Sequence, residues 1–238
     1  MGTLTTMTTE APLPELEGVA LARLLQLCSP GLPIGAFAYS QGLEQAVAAG
    51  WISDAEDAGN WLDGLLEHAF ATLDLPVLAR LIAAWRAEDL GEVERWSGWL
   101  LACRPSRETR AEDRQLGGSL ARLLVTLGIA EAGPWAERDD VTHAAMFALA
   151  AARYGIPTQV AMVGYGFAWA ESLASAAVRL VPLAQSAGQR LLAAAGEAIP
   201  VAVANALTLE DDELGAATPG QAVASALHET LYSRLFRS

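Results

Sequence analysis

Lysine is absent from this chain of 238 residues, so all 15 of its basic residues are arginines. The absence excludes a P-loop lysine, a Schiff-base lysine and a lysine general base, together with the enzymes that need them. Cysteine is also scarce, because Cys28 and Cys103 are too few and too far apart for a zinc knuckle or a disulfide framework. Such cysteine usage is typical of a reducing compartment, and we expect the protein to be cytoplasmic.

Metal-binding and catalytic motifs are missing as well. The histidines, His68, His143 and His228, have no histidine partner three or four residues away, the spacing that helical metal sites use. Gly164-Tyr165-Gly166 lacks the third glycine of a dinucleotide fingerprint, and no G-x-S-x-G elbow occurs. We therefore assign no catalytic residue and no metal ligand, and expect neither enzymatic activity nor a tightly bound cofactor.

Positive charge and long apolar runs are both in short supply. A formal net charge of −13 disfavours nucleic acid and anionic lipid as partners, and favours a basic protein or a metal cation. Within the sparsely charged stretch 156–209 the longest uncharged run, Ile156 to Ala170, has fifteen residues, whereas a membrane-spanning helix needs about 20. We expect no membrane partner, and a buried core helix in this region.

Alanine and leucine dominate the hydrophobic residues, which make up 53% of the chain. Both are strong helix formers, so the composition predicts an all-α fold, a single compact bundle of about ten helices. Residues 1–14 should form a disordered N-terminal tail, and residues 15–238 one domain. The sparsely charged stretch 156–209 exceeds what the interior of one monomer needs, so we predict a homodimer.

Local signals predict where several helices begin and which sides they bury. Ser53 or Asp54, then Ser106, then Asp139 or Asp140 are candidate N-caps, and Pro76 should break a helix. Two apolar stripes should face the core. The first comprises Leu21, Leu24, Leu25 and Cys28, and the second Val223, Leu227, Leu231 and Leu235.

Two polar features point to partner binding. Arg107, Arg110 and Arg114 would share one helix face, either as a solvated, salt-bridged surface or as a docking surface for a carboxylate-rich partner. The segment 228–238 ends in Tyr232, Arg234, Phe236 and Arg237, the residue types that dominate interface hot spots. We expect this segment to be poorly ordered in the free protein and to become ordered on a partner.

Four sequence blocks occur in order along the chain: LLQLCSPGLPIGAFAYSQGLE at 24–44, ETRAEDRQLG at 108–117, LVPLAQSAGQRLL at 180–192 and HETLYSRLFRS at 228–238. Together these blocks resemble the motifs of the UreF family of urease accessory proteins. Ala38 departs from the serine that is usual in the first block. The resemblance covers residues 16–238.

The resemblance implies an all-α dimer without chemistry of its own, a scaffold for inserting nickel into urease. Its partners would be a UreD/UreH-type accessory protein, a nickel-carrying UreG-type GTPase and apo-urease, with nickel handled by the complex. The alternative is a GTPase-activating regulator, with Arg110, Arg114 or Arg234 as an arginine finger. Tyr39 and Arg234, both in family motifs, would lie close together. The partner-binding residues would be Tyr39, Ser40, Glu44, Arg110, Arg114, Tyr232, Arg234, Phe236 and Arg237.

Overall fold

A computed structural model describes residues 16–238, and within that range the protein has ten α-helices and no strand. The all-α prediction is therefore confirmed, while the predicted tail at residues 1–14 lies outside the described residues. The helices are α1 (Gly18–Leu27), α2 (Leu43–Ala48), α3 (Ala55–Leu65), α4 (Leu75–Arg86), α5 (Leu90–Ala102), α6 (Arg107–Thr126), α7 (His143–Arg153), α8 (Thr158–Leu180), α9 (Gln185–Ala206) and α10 (Pro219–His228). None of these described helices is both long and apolar enough to cross a membrane.

Side-chain caps begin several of the helices. The Asp54 carboxylate accepts hydrogen bonds from the first backbone N–H groups of α3, and the Ser106 hydroxyl accepts one at the start of α6. These two caps confirm the predictions, because a cap needs only residues within one turn. At α7 the cap is Thr142 rather than Asp139 or Asp140, since its hydroxyl accepts from the Ala145 N–H.

A π-helical segment, Leu66–Asp74, joins α3 to α4 in one continuous helical stretch. The predicted break at Pro76 is wrong, because this proline lies in the first turn of α4, where a missing N–H is tolerated. Wide turns of the π type are uncommon and often occur at functional sites. This one lines the cavity described below.

Helix α7 forms the centre of the bundle, with every residue from Ala144 to Ala151 buried. It packs against α4 and α6, and the hairpin of α8 and α9 adds the remaining layer. The stretch 156–209 thus forms this hairpin. It contributes many core residues, although Phe167, Val201 and Leu207 remain exposed on it.

The buried side of α1 differs from the predicted stripe. Leu24 is buried, but Leu21 and Leu25 are 45% and 62% exposed, and Ala20 and Leu27 take the inner positions. A close approach to α8 causes this orientation, because a Cβ on Gly164 would lie 2.6 Å from the Leu24 Cδ1 atom. The predicted face was therefore wrong at two of its four positions.

Candidate partner-binding site

Helix α10 packs on α2 and α6 through small and polar residues. Its buried positions are Ala224, Ser225 and His228, and the Ser225 hydroxyl lies 2.6 Å from that of Ser106. The approach to α2 is close, since a Cβ on Gly42 would lie 3.1 Å from the Ser225 backbone nitrogen. Gly42 also has a φ of +87°, which favours glycine. Both constraints require glycine at this position.

The apolar side of α10 consequently faces outward. Val223 and Leu227 are 49% and 47% exposed, so the prediction that they dock this helix on the core is wrong. Helical periodicity shows which residues share a face but not which face is buried. The polar face is buried because other helices supply partners for its hydroxyl and imidazole groups.

Beyond α10 the chain lies against the body of the protein. Phe236 is buried in a cluster with Leu43 of α2 and Val181, which follows α8. The Arg237 N–H donates to the Ala38 carbonyl at 2.7 Å. The structure thus differs from our expectation that residues 228–238 are poorly ordered in the free protein, because the chain itself supplies the contacts that we had attributed to a partner.

Two residues of the first family motif hold this segment. The Glu44 carboxylate accepts hydrogen bonds from the backbone N–H groups of Leu235 and Phe236, at 2.6 and 2.9 Å. The Ser40 N–H and hydroxyl both donate to the carbonyl oxygen of Ser238, at 2.8 and 2.5 Å. Ser40 and Glu44, which the sequence analysis assigned to partner binding, therefore contact the chain's own C-terminal segment.

His228 lies between two carboxylates and has no solvent-exposed surface. Its Nδ1 atom is 2.7 Å from Glu108 Oε2, and its Nε2 atom is 3.0 Å from Glu44 Oε2. The guanidinium of Arg234 donates to the other oxygen of Glu108 at 2.6 Å. Two acids and two bases from α2, α6, α10 and the following segment thus alternate in one cluster.

The hydrogen-bond partner of Arg234 is not Tyr39, with which we had paired it. Arg234 pairs with Glu108. Burial raises the pKa of Tyr39, and Arg237 partly opposes that rise. The arginine of the C-terminal motif that acts on this phenol is therefore three residues further along the chain than Arg234.

Several side chains of the C-terminal region face away from these contacts. Tyr232 is fully exposed and Leu235 is 65% exposed. With Val223 and Leu227 they form a set of four exposed apolar or aromatic side chains, which we call the outer stripe. Exposed apolar side chains concentrated in this way are typical of an interaction surface.

The two remaining predicted residues lie elsewhere on α6. Arg110 donates to the Arg104 carbonyl at 3.0 Å, and Arg114 donates to the Asp139 carbonyl at 2.5 Å. Within residues 16–238 neither guanidinium hydrogen bonds with the C-terminal segment. The structure therefore does not place them in the cluster around His228.

A partly open cavity of about 410 Å³ is bounded by the end of α1, the π-helical segment, α6 and α8. At its wall Arg104 donates to Asp113 at 2.7 Å and to Asp74 at 2.6 Å. Asp113 also accepts the backbone N–H of His143. This buried ion-pair network was not predicted from the sequence, because its members are separated in sequence and Asp74 lies outside every family motif.

Glu112 connects the C-terminal segment with this cavity. Its carboxylate accepts hydrogen bonds from Gln41 at 2.9 Å and from the Ser238 hydroxyl at 2.8 Å. Gln41 in turn accepts from the Trp169 indole, which stacks on Phe70 in the cavity wall. Burial raises the pKa of Glu112 to about 7, although the hydrogen bonds from Gln41 and Ser238 oppose the rise. The presence of Gln41 and Glu112 in two family motifs was the available signal for this link.

Potential metal ligands do not cluster in the part of the chain that the structure describes. No group of three histidine, cysteine or acidic residues in residues 16–238 is arranged to hold a metal ion. Burial lowers the pKa of His143 to about 4 and raises that of Cys28 to about 12. The prediction that the isolated protein lacks a tight nickel site awaits direct measurement.

Known proteins resemble this chain over nearly its full length. The model of the UreF family matches residues 52–196. A urease accessory protein UreF of Alkalilimnicola ehrlichii is 52% identical over 221 residues, which cover 93% of this chain and 97% of that protein. A second, from Chromohalobacter salexigens, is 46% identical over 98% of this chain and 100% of its own length. A third, from Pseudomonas putida, is 46% identical over 92% of this chain and 98% of its own.

Proposed function

This chain belongs to the UreF family of urease accessory proteins, and we propose that it acts as a non-catalytic, cytoplasmic scaffold for nickel insertion into urease. In this role it binds a UreD/UreH-type accessory protein. Through that complex it connects a UreG-type, nickel-delivering GTPase with apo-urease. The complex, rather than this subunit alone, handles the nickel.

The outer stripe is the observation that carries the proposal. Helix α10 buries a polar face and exposes Val223 and Leu227, the reverse of the arrangement that hydrophobic burial alone would favour. Tyr232 and Leu235 extend this exposed surface along the following segment. We assign the UreD/UreH-type protein to this surface, because the family role requires a protein partner and because tyrosine is enriched at interface hot spots.

The docked C-terminal segment also supports partner binding, although we had expected this segment to become ordered only on the partner. A segment already held by Ser40 and Glu44 presents Tyr232 and Leu235 without first having to become ordered on the partner. Preorganisation of this kind lowers the entropic cost of binding. The surface can therefore be part of a stable complex even though its apolar area is modest.

Point variants on the outer stripe test the proposal better than truncation does. Deleting residues 232–238 would leave Glu44 without its two N–H donors and would uncover the cluster around Phe236. A double variant, Leu227→Asp with Leu235→Asp, changes only exposed positions and spares those internal contacts. Leu90→Asp is the matched control, because Leu90 is 55% exposed on α5, away from α10.

The measurements are pull-down by the UreD/UreH-type partner and urease activation in cells, each after a thermal melt has shown intact folding. We expect the double variant to bind at least about thirtyfold more weakly, since losing central interface anchors typically costs about 2 kcal/mol or more. Leu90→Asp should stay within about twofold of the unmodified protein. Full binding and activation by a well-folded double variant would contradict the assignment.

The contacts of the three candidate arginine fingers favour a scaffold function over the GTPase-activating alternative. An arginine finger must extend into the partner's nucleotide site. Arg110 and Arg114 instead donate to carbonyl groups of their own chain, and Arg234 pairs with Glu108. Adding the isolated protein to the GTPase and measuring GTP hydrolysis separates the two functions. Acceleration of about 10³-fold that is lost in Arg234→Ala would favour the regulator.

A further inference from the structure

We propose that the C-terminal segment is held by a proton-operated latch, in which His228 bridges Glu44 and Glu108 and so keeps Glu44 in place to bind the backbone of residues 235 and 236. Loss of the His228 proton opens the latch and loosens the segment. The latch is a property of the isolated chain. Only its effect on partner binding rests on the proposed function.

The two carboxylates beside the His228 ring favour its protonated form. Each ring nitrogen faces a carboxylate oxygen, at 2.7 Å from Glu108 and 3.0 Å from Glu44. An ionised carboxylate can only accept hydrogen bonds, so with both glutamates ionised both ring nitrogens must donate, as they do in the imidazolium cation. After deprotonation one nitrogen would present a lone pair to a carboxylate, and that contact would become repulsive. Histidine is the side chain suited to make this change near neutral pH.

Glu44 transmits the change to the C-terminal segment. Its Oε2 atom contacts both His228 and the Phe236 N–H, and its Oε1 atom accepts the Leu235 N–H. Glu44 is nearly buried, so its carboxylate needs the neighbouring cation to offset its desolvation. When that cation is lost, the carboxylate is stabilised by moving toward water, and the two backbone N–H groups lose their acceptor.

The charged groups around the ring come from all the elements that pack there. Glu44 lies on α2 and Glu108 on α6, and Arg234 is bound to Glu108 from the segment itself. The neighbouring Glu229 accepts the Arg107 N–H at 2.9 Å and so faces a different residue of α6. With both glutamates ionised and both bases protonated, the cluster is neutral, and loss of the His228 proton leaves one uncompensated negative charge in a buried site.

Glu112 is a second titratable group beneath the same segment, and its effect on amide protection must be separated from that of His228. It binds the Ser238 hydroxyl, and it faces Asp113 and Arg104 in addition to Gln41. Replacing Glu112 by glutamine removes its titration and retains groups that can serve Gln41 and Ser238. Any pH dependence left in Glu112→Gln therefore belongs to the His228 cluster.

Two measurements on the full chain test the latch. Long-range nitrogen–proton NMR reports whether the His228 ring carries one proton or two, and hydrogen exchange reports the protection of the amides of residues 235 and 236. In Glu112→Gln we expect a doubly protonated ring wherever the amides of residues 235 and 236 are protected. In a pH titration, loss of the second ring proton should coincide with a loss of at least about tenfold in amide protection, after correction for intrinsic exchange rates.

Variants at the two histidines complete the experiment. In His228→Gln, protection of the amides of residues 235 and 236 should be low at every pH, because the cation that keeps Glu44 in place is absent. His68→Gln is the matched control, since His68 is an exposed histidine paired only with Glu67, and it should keep the pH-dependent loss. If His228→Gln does not fold, the NMR titration of the unmodified ring still decides the question.

A singly protonated His228 beside well-protected amides would overturn the latch, as would protection that stays constant while the ring titrates. If the latch is observed but pull-down of the partner does not change with pH, the latch stands and its role in partner binding is refuted. If pull-down weakens with rising pH in Glu112→Gln but not in His228→Gln, both the latch and its role are supported.

Discussion

Arg104 holds two buried carboxylates together at the wall of the cavity, and its replacement by methionine should strongly destabilise the protein. The side chains of Asp74 and Asp113 are only 8% and 5% exposed. After Arg104→Met, Asp113 would retain the His143 N–H, but Asp74 would lose both hydrogen bonds that Arg104 donates to it. Methionine is unbranched and of similar length, so the packing loss should be small and the charge effect should dominate.

The magnitude follows from the cost of leaving a buried charge without its partner, about 3–5 kcal/mol. Domains are stable by about 5–15 kcal/mol, so this one change should remove about a fifth or more of the free energy of unfolding. Urea denaturation followed by far-ultraviolet circular dichroism measures the loss. The added change Asp74→Asn should restore about 1–2 kcal/mol, because it removes one of the unpaired charges.

Arg110→Met is the matched control for this experiment. Arg110 lies on α6, and its guanidinium donates to one backbone carbonyl, that of Arg104. We therefore expect a loss of stability below about 1 kcal/mol. The electrostatic explanation would be refuted if Arg104→Met cost less than about 1 kcal/mol, or if the control cost as much as the test variant.

Four further outcomes are expected. Because burial raises the pKa of Glu112 to about 7 from 4.5, its contribution to stability should be complete below about pH 4.5 and be lost as the pH rises through about 7. Across that pH range the urea midpoint of Glu112→Gln should fall less than that of the unmodified protein. Gly42→Ala should lower the melting temperature and weaken partner binding, because φ is +87° there and the new Cβ would press on α10 at Ser225; an unchanged melt would contradict the close approach. Light scattering of the isolated protein should give twice the 25.0 kDa chain mass, and a monomer mass at micromolar concentration would count against the dimer. Calorimetry should detect no nickel binding below about micromolar Kd, whereas a stoichiometric tight site would refute the prediction.

Local features of the fold could be predicted because their causes are local. Asp54 and Ser106 were identified as caps, since a cap depends on residues within a single turn. The wide turn at Leu66–Asp74 could not be predicted, because Pro76 resembled a helix break and no sequence pattern distinguishes it from the first turn of a continuing helix.

The family motifs identified several residues of the candidate site, but not the contacts that those residues make, and their role in partner binding stays a prediction. Ser40, Glu44, Arg234 and Phe236 do lie together, and the family motifs were the signal for them. Which contacts they make was not predictable, because partners more than 100 residues apart are selected by the tertiary fold. The exposure of the apolar side of α10 could not be predicted for the same reason, since burial of its polar face depends on acceptors that other helices provide.

The hydrogen bonds that join Ser40 and Glu44 to the C-terminal segment link residues 184 to 198 positions apart in the chain. During synthesis the N-terminal helices therefore leave the ribosome long before their partners for Ser40 and Glu44 exist. Contacts of such large sequence separation form late in folding, because a long loop must close before they contribute. The proposed partner surface is thus assembled only after residues 228–238 have left the ribosome, so a product that lacks them would not present it.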